Sequence, residues 1–144
     1  MRIHRPRYVA LPFVTALLLA AAPAAAQDHP VDGVWEGAYD CRQGRTGLTL
    51  KLDATADGQV TGTFAFWPRQ DNPGVPRGSF RVRGKIDVYG KFRLYGDSWI
   101  QRPNDYAMVG LTGTVYKGQN GDKDTMLGNV VDLDGCTTWA ARRR

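Results

Sequence analysis

The 144-residue chain has few of the side chains on which catalytic and metal sites depend. Of its two histidines only His29 follows the amino-terminal apolar segment, so a Ser–His–Asp or Cys–His arrangement has no support. No group of His, Cys and acidic residues has metal-ligand spacing, and the aspartate pairs near the carboxyl terminus are typical of solvated turns. We predict a protein that is not an enzyme and that uses no metal and no cofactor.

Cysteine is equally scarce, and helical spacing is absent after the first 26 residues. Cys41 lies in the first strand-like segment of the chain and Cys136 in the last. A lone cysteine pair in an exported protein is expected to form a disulfide. If both residues lie in strands and bond to each other, the first and last strands are neighbours, and this is the topology of a closed barrel.

The chain begins with the pattern of a secretory signal peptide. Arg2, Arg5 and Arg7 form a positive region, an apolar run over residues 9–22 follows, and the small residues at 24–26 supply a cleavage site. We therefore predict a signal peptide over 1–26, a single domain over 27–144, and a periplasmic or secreted protein. The apolar run is short for a permanent membrane helix, so we expect no stable membrane insertion after cleavage.

Once this segment is removed, the chain has no large excess of either positive or negative charge. The chain has 19 Lys and Arg residues and 14 Asp and Glu residues. Three arginines lie in the predicted signal peptide and no acids do, which leaves 16 against 14. This balance does not indicate a nucleic-acid-binding face.

What the chain does have is alternation of apolar and polar residues with a period of two. In one such segment, Leu48, Leu50 and Leu52 alternate with polar side chains, as in a half-buried strand. Pairs such as Asp57-Gly58 and Asn120-Gly121 are typical of tight turns between strands. The pattern predicts eight strands over 33–41, 47–54, 59–67, 78–87, 91–96, 106–116, 125–131 and 135–142. The fold class is all-β, a single antiparallel eight-stranded up-and-down barrel.

The cysteines also suggest a register between the first and last strands. If Cys41 faces Cys136 in an antiparallel pair, Trp35 faces Arg142, and an arginine over an indole contributes about 0.5–2 kcal/mol. Gly33-Val34-Trp35 together with Arg142 resembles the calycin superfamily of lipocalins, fatty-acid-binding proteins and avidins. The resemblance implies a barrel whose opening tryptophan packs under an arginine from a late strand.

Two further resemblances are weaker. Tyr39-x-Cys41 and the small exported size are similar to those of bacterial periplasmic lysozyme inhibitors. The chain also resembles uncharacterised small exported proteobacterial domains. The first of these likenesses implies inhibition of a hydrolase, and the second implies no activity.

The candidate binding residues come from two long connections that an up-and-down barrel places at one end, 68–77 and 97–105. Both combine tryptophan, arginine and proline, and stiff loops with amphipathic aromatic residues suit recognition. The candidate residues are Trp67, Arg69, Arg77, Trp99, Arg102 and Tyr106. In the alternative interpretation, the tryptophans are lids over the core and the arginines are ordinary solvated residues.

Two functional hypotheses follow. The preferred one is a non-catalytic domain that recognises a protein or envelope partner through loops 68–77 and 97–105, for example as a hydrolase inhibitor. The alternative is a small-molecule carrier that holds an apolar ligand inside the barrel. An eight-stranded barrel is wide enough for one small ligand or for a filling of side chains, and the many large inward residues favour a filled interior.

Overall fold

A computed structural model describes residues 29–144, which form one closed antiparallel barrel. The strands are β1 (Gly33–Cys41), β2 (Gly44–Ala54), β3 (Gln59–Trp67), β4 (Gly78–Ile86), β5 (Lys91–Gln101), β6 (Gly110–Tyr116), β7 (Thr125–Val131) and β8 (Thr138–Arg143). Each strand pairs with the next and β8 pairs with β1, so the predicted eight-stranded up-and-down barrel is confirmed. The predicted signal peptide, 1–26, lies outside the described residues.

The alternating pattern of each strand decides which side chains fill the barrel. In β2, Leu48, Leu50 and Leu52 point inward and are at most 1% exposed, whereas Lys51 between them is exposed. The other large side chains that are almost fully buried are Trp35, Phe64, Phe80, Leu94, Leu111 and Met126. The centre of the barrel is therefore filled by side chains. Within residues 29–144, no helix is long and apolar enough to cross a membrane.

Two inward glycines allow neighbouring strands to approach closely. A Cβ atom at Gly37 would lie 1.9 Å from the carbonyl oxygen of Ala140, and one at Gly84 would lie 1.8 Å from that of Arg93. No side chain fits at either position, which explains why glycine interrupts strands that otherwise favour larger residues.

The disulfide between Cys41 and Cys136 is confirmed and joins positions 95 residues apart. Its geometry differs from the prediction, because Cys136 lies in the connection before β8 and not in a strand. The neighbouring backbone completes the junction, since the Thr137 amide donates to the Asp40 carbonyl oxygen at 2.9 Å. The bond is consistent with folding in an oxidising compartment.

The register predicted from the cysteines is wrong by one residue. Trp35 pairs with Arg143, and Arg142 pairs with Glu36 on the outside of the barrel. The guanidinium of Arg143, not that of Arg142, lies over the Trp35 ring, with Cζ 4.2 Å from the ring centroid. A shift of one residue exchanges the two faces of a strand. The shift in β8 therefore turns Trp139 inward, and its side chain is only 2% exposed.

Arg143 closes the end of the barrel opposite the long loops. Its guanidinium donates to the Pro30 carbonyl oxygen at 2.9 Å and to the Asp32 carbonyl oxygen. It also donates to Oδ2 of Asp124 from Nε at 3.2 Å and from Nη2 at 3.1 Å. One side chain thus ties β8 to the segment before β1 and to the segment before β7.

Several predicted strand limits are also corrected, beginning with the start of β2, which lies at Gly44 and not at residue 47. Strand β5 was expected to end at residue 96, but it continues to Gln101, because its pairing with β4 persists through irregularities at Ser79/Phe80 and Arg81/Val82. Strand β6 begins at Gly110 rather than 106, and β8 covers Thr138–Arg143 rather than 135–142. The connection predicted over 97–105 therefore lies over 102–109, and Trp99 belongs to a strand.

Candidate functional site

The connections 42–43, 68–77, 102–109 and 132–137 lie at one end of the barrel, called the loop end below. The barrel opens there into a pocket of about 280 Å³. Its lining residues are Tyr39, Cys41, Arg42, Gln43, Phe64, Phe66, Phe80, Asp105, Tyr106, Ala107, Val109 and Leu133. We call this the mouth pocket; most of its lining side chains are apolar or aromatic.

The floor of the mouth pocket is made of packed aromatic rings. Phe64 and Phe80 stack with centroids 4.6 Å apart and planes at 12°, and Tyr39 meets Phe64 edge-on at 5.4 Å. Phe64 and Phe80 are at most 1% exposed, so they separate the pocket from the filled centre of the barrel. The pocket is thus a shallow cup, and the barrel interior below it is occupied by side chains.

One predicted site residue, Tyr106, lines the mouth pocket, and a second, Trp99, packs against two of its lining residues, Phe66 and Phe80. Tyr106, from the 102–109 connection, stacks on Phe66 with centroids 5.3 Å apart and planes at 7°. Trp99 packs edge-on against Phe66 at 6.4 Å and against Phe80 at 5.4 Å. Such aromatic pairs contribute about 0.5–1.5 kcal/mol beyond burial of their area, so the wall is ordered before any partner arrives.

Arg102 joins these two aromatic residues from the outside. Its Cζ lies 5.6 Å from the centroid of the Trp99 ring, and its Nε donates to the Tyr106 carbonyl oxygen at 3.3 Å. The structure therefore brings together three of the six predicted site residues: Trp99, Arg102 and Tyr106. Arg102 is exposed, so it remains accessible to a partner at the rim.

Tyr39 supplies a polar group within the apolar cup. Gln43 donates from Nε2 to the Tyr39 hydroxyl oxygen at 3.2 Å. Burial, with a smaller contribution from Tyr106, raises the pKa of the Tyr39 hydroxyl well above its usual value. Tyr39 is consequently neutral at physiological pH and offers a hydrogen bond rather than a base.

The 68–77 connection is held in place beside the mouth. Asn72 donates from Nδ2 to the Gln43 carbonyl oxygen at 2.8 Å and to the Arg45 carbonyl oxygen at 3.2 Å. Val75 from the same connection is 5% exposed and packs in the core. These contacts fix a long surface loop, which reduces the entropy that would be lost when a partner orders it.

Trp67 and Arg69 lie apart from this cluster, on the outer wall of the barrel. The Trp67 ring packs on Gly47, where a Cβ atom would lie 2.3 Å from the ring, and its Nε1 donates to Thr49 Oγ1 at 3.2 Å. The lid interpretation is therefore wrong for Trp67, which covers outer backbone and not the core. Arg69 pairs with Asp71 at 2.9 Å.

Trp67 marks one end of a groove of about 500 Å³ across the outer wall. The pairings place Leu127, Ala140, Ala38, Gly47 and Trp67 in one row across five strands. The central residues are small and the end residues are large, so the row forms a trough, called the side groove below. Arg45, Arg69 and Arg142 contribute to its lining.

The side groove is the feature that sequence analysis missed. Alternation places Ala38 on the outside, but Ala140 lies outside only in the observed register, which is shifted by one residue from the predicted one. This register brings the two alanines side by side between Leu127 and Trp67. Of the remaining predicted residues, Arg77 is exposed and forms none of the ion pairs seen within residues 29–144.

Among the described residues, no three His, Cys, Asp or Glu side chains converge to hold a metal ion. Comparisons with protein-family models, with curated proteins and with solved structures find no match to this chain.

Proposed function

We propose that this protein is a non-catalytic binding domain that recognises a protein partner through its loop end. The 68–77 and 102–109 connections form the recognition surface, and the mouth pocket receives one apolar side chain of the partner. The observation that carries the proposal is the ordered aromatic cup of about 280 Å³, which is lined by Phe66 and Tyr106 and supported by Trp99 packed against Phe66.

The volume of the cup favours a single side chain over a large ligand. Pockets for drug-sized ligands occupy about 300–1,000 Å³, and the mouth pocket lies just below that range. Interface hot spots are usually anchors that fill such small, well-packed pockets, surrounded by groups that exclude water. Arg42 and Asp105 at the rim carry opposite charges, which suits a partner surface of mixed sign.

A binding role without catalysis is supported by the chemistry of the cup. Tyr39 is the titratable group at the bottom of the cup. Burial raises the pKa of its hydroxyl away from the range in which a side chain acts as a general base. The disulfide supports a periplasmic or secreted location. The closed eight-stranded barrel supports a calycin-like relationship, and inhibition of a hydrolase by the loop end is the form of recognition that the likeness to lysozyme inhibitors suggests.

A small-molecule carrier is the second candidate function. It is favoured by the apolar lining of the mouth pocket together with one polar anchor, the Tyr39 hydroxyl. The filled centre of the barrel limits such a ligand to the size of one or two aromatic rings.

Capture of partners by immobilised protein from an envelope extract, with mass spectrometry of the eluate, tests the proposal. We expect a protein captured by the wild type to be lost with Tyr106→Ala, because that change removes one wall of the cup. Tyr116→Ala is the matched control, since Tyr116 is 49% exposed at the opposite end of the barrel. The purified partner should then bind in a 1:1 ratio.

Two outcomes decide against partner recognition at the loop end. Equal capture by the wild type and Tyr106→Ala would place the contact elsewhere. A melting temperature raised by naphthol or indole, with this effect lost in Tyr106→Ala and no protein captured, would instead support the carrier function.

A further inference from the structure

A second surface, unrelated to the loop end, lies on the outer wall formed by β4 and β5. Arg81, Arg83 and Lys85 alternate outward along β4, and Lys91 and Arg93 do so along β5. We call these five residues the basic wall. They bring together nearly a third of the 16 lysines and arginines that follow residue 26.

The strand register places like charges directly opposite each other in the basic wall. Lys85 pairs with Arg93 across β4 and β5, and Arg83 pairs with Tyr95. Like charges directly opposite on a sheet repel each other. An anionic ligand would relieve this repulsion.

Acidic side chains compensate only part of the basic wall. Arg83 pairs with Asp97 at 2.9 Å, and Arg93 pairs with Asp132 at 2.6 Å. The electrostatic attraction between Lys85 and Asp57 acts over more than 4 Å, so the two form no ion pair. The Asp57 carboxylate accepts a hydrogen bond from the Thr55 hydroxyl instead.

Three cations of the wall thus have no ion-pair partner within 4 Å among residues 29–144: Arg81, Lys85 and Lys91. Five cations against two paired acids leave an excess of three positive charges on this wall.

The basic wall also contains a shaped site. A groove of about 550 Å³ is lined by Gln59, Val60, Thr61, Arg83, Gly84, Lys85, Arg93 and Tyr95. The Tyr95 side chain is half exposed, and the Arg93 guanidinium lies over its ring at 4.5 Å. The groove therefore offers cations, amide and hydroxyl groups, and one flat aromatic ring in a single place.

We propose that the basic wall binds an acidic polysaccharide, a sugar polymer whose carboxylate, sulfate or phosphate groups pair with Lys85 in the groove and with the flanking Arg81 and Lys91. The amide of Gln59 and the hydroxyl of Thr61 are suited to sugar hydroxyl groups, and the Tyr95 ring offers a flat surface for a sugar ring. The partner of the loop end and this polymer would bind at separate surfaces.

The composition of the wall favours a polysaccharide over two other polyanions. Binding in a lipid interface needs an apolar face that enters the headgroup region, and Tyr95 is the only aromatic residue that lines this groove. Single-stranded nucleic acid is usually held by several aromatic side chains on which successive bases stack, whereas this groove has one.

Titration of the purified protein with polygalacturonate and with dextran sulfate tests this proposal, with neutral dextran as the ligand control. The variant Arg81→Gln/Lys85→Gln/Lys91→Gln removes the three cations that have no ion-pair partner. We expect its affinity for the acidic polymers to fall by about tenfold, because each exposed charge contributes modestly and the contributions combine. Binding should weaken with added salt, and neutral dextran should not bind.

A second triple variant removes three positive charges from residues outside the basic wall. Arg77→Gln/Lys123→Gln/Arg142→Gln changes three exposed residues that also lack an ion-pair partner within residues 29–144. We expect its affinity to remain within about threefold of the wild type, because none of the three residues belongs to the basic wall or lines its groove. Tyr95→Ala should weaken binding without any change in net charge.

Three outcomes would overturn the proposal. Equal loss of affinity in both triple variants would mean that net charge, and not this wall, attracts the polymer. Unchanged affinity in Tyr95→Ala would reduce the site to a general polyanion surface. Tighter binding to anionic phospholipid vesicles or to DNA than to polygalacturonate, at equal concentrations of negative charge, would identify a different class of ligand. Melting curves of every variant ensure that only folded protein is compared.

Discussion

Replacing Arg143 by alanine tests the arrangement that closes the barrel opposite the loop end. The substitution removes a guanidinium 4.2 Å from the centroid of the Trp35 ring, and Trp35 is fully buried. It also removes the hydrogen bonds to the carbonyl oxygens of Pro30 and Asp32 and the paired contacts with Asp124. Three segments of the chain thereby lose their common anchor.

The expected loss of stability is the sum of two kinds of contact. A partly desolvated cation over an indole contributes about 1–2 kcal/mol, and hydrogen bonds to charged groups contribute about 1.5–3 kcal/mol each. The contacts share one side chain that is 30% exposed, so they are not additive. We expect Arg143→Ala to lower the free energy of unfolding by about 3–5 kcal/mol. For a domain of this size, that corresponds to a fall in melting temperature of about 12–20 °C.

Denaturant and thermal unfolding, followed by circular dichroism, measure this change. Arg142→Ala is the matched control, because Arg142 is exposed and forms no ion pair within residues 29–144, and its cost should stay within about 0.5 kcal/mol. Arg143→Lys keeps the charge but loses the planar fork, so an intermediate cost is expected. If Arg142→Ala destabilises the protein as much as Arg143→Ala does, the pairing of Trp35 with Arg143 is refuted.

Two further predictions concern the same barrel. The Gly118 amide and two cationic neighbours lower the pKa of Asp124 to about 2, so its contribution to stability is complete above about pH 4 and is lost as pH falls towards 2. The stability difference between the wild type and Asp124→Asn should shrink over that interval, and a constant difference in acid titrations would contradict it. The Cys41–Cys136 disulfide closes a loop of 95 residues, so Cys41→Ala/Cys136→Ala should lower stability by about 2–4 kcal/mol. Dithiothreitol should lower the melting temperature of the wild type alone; an unchanged wild type would count against the bond.

The proposed recognition by loops would rest on a rigid barrel. The aromatic rings of Phe66 and Tyr106 are stacked, and Asn72 ties the longest connection to the turn between β1 and β2. Little of the loop end would therefore have to be ordered when the proposed partner binds, and the entropic cost of association would be low. The filled centre of the barrel provides the rigidity and leaves the cup as the accessible part of the interior.

Much of the architecture was predictable from local patterns. Alternation such as Leu48, Leu50 and Leu52 selects one face of a strand as buried, and a glycine after aspartate or asparagine marks a tight turn. The pairing of Cys41 with Cys136 was predictable because the chain has no other cysteine, and it made the first and last strands neighbours. The fold class and the clustering of the long connections at one end follow from these features.

The side of the barrel on which particular residues lie depends on how the strands pair with one another. Cys136 lies outside β8, so the disulfide tolerates a shift of one residue, and hydrogen bonding between β1 and β8 placed Arg143 over Trp35 in place of Arg142. The irregular pairing of β4 with β5 likewise placed Trp99 in a strand at the mouth. Local sequence patterns and the cysteine pair therefore fix which segments become strands and that the barrel closes. The register between strands depends on contacts between residues far apart in the chain, and this register brought together the mouth pocket, the side groove and the basic wall.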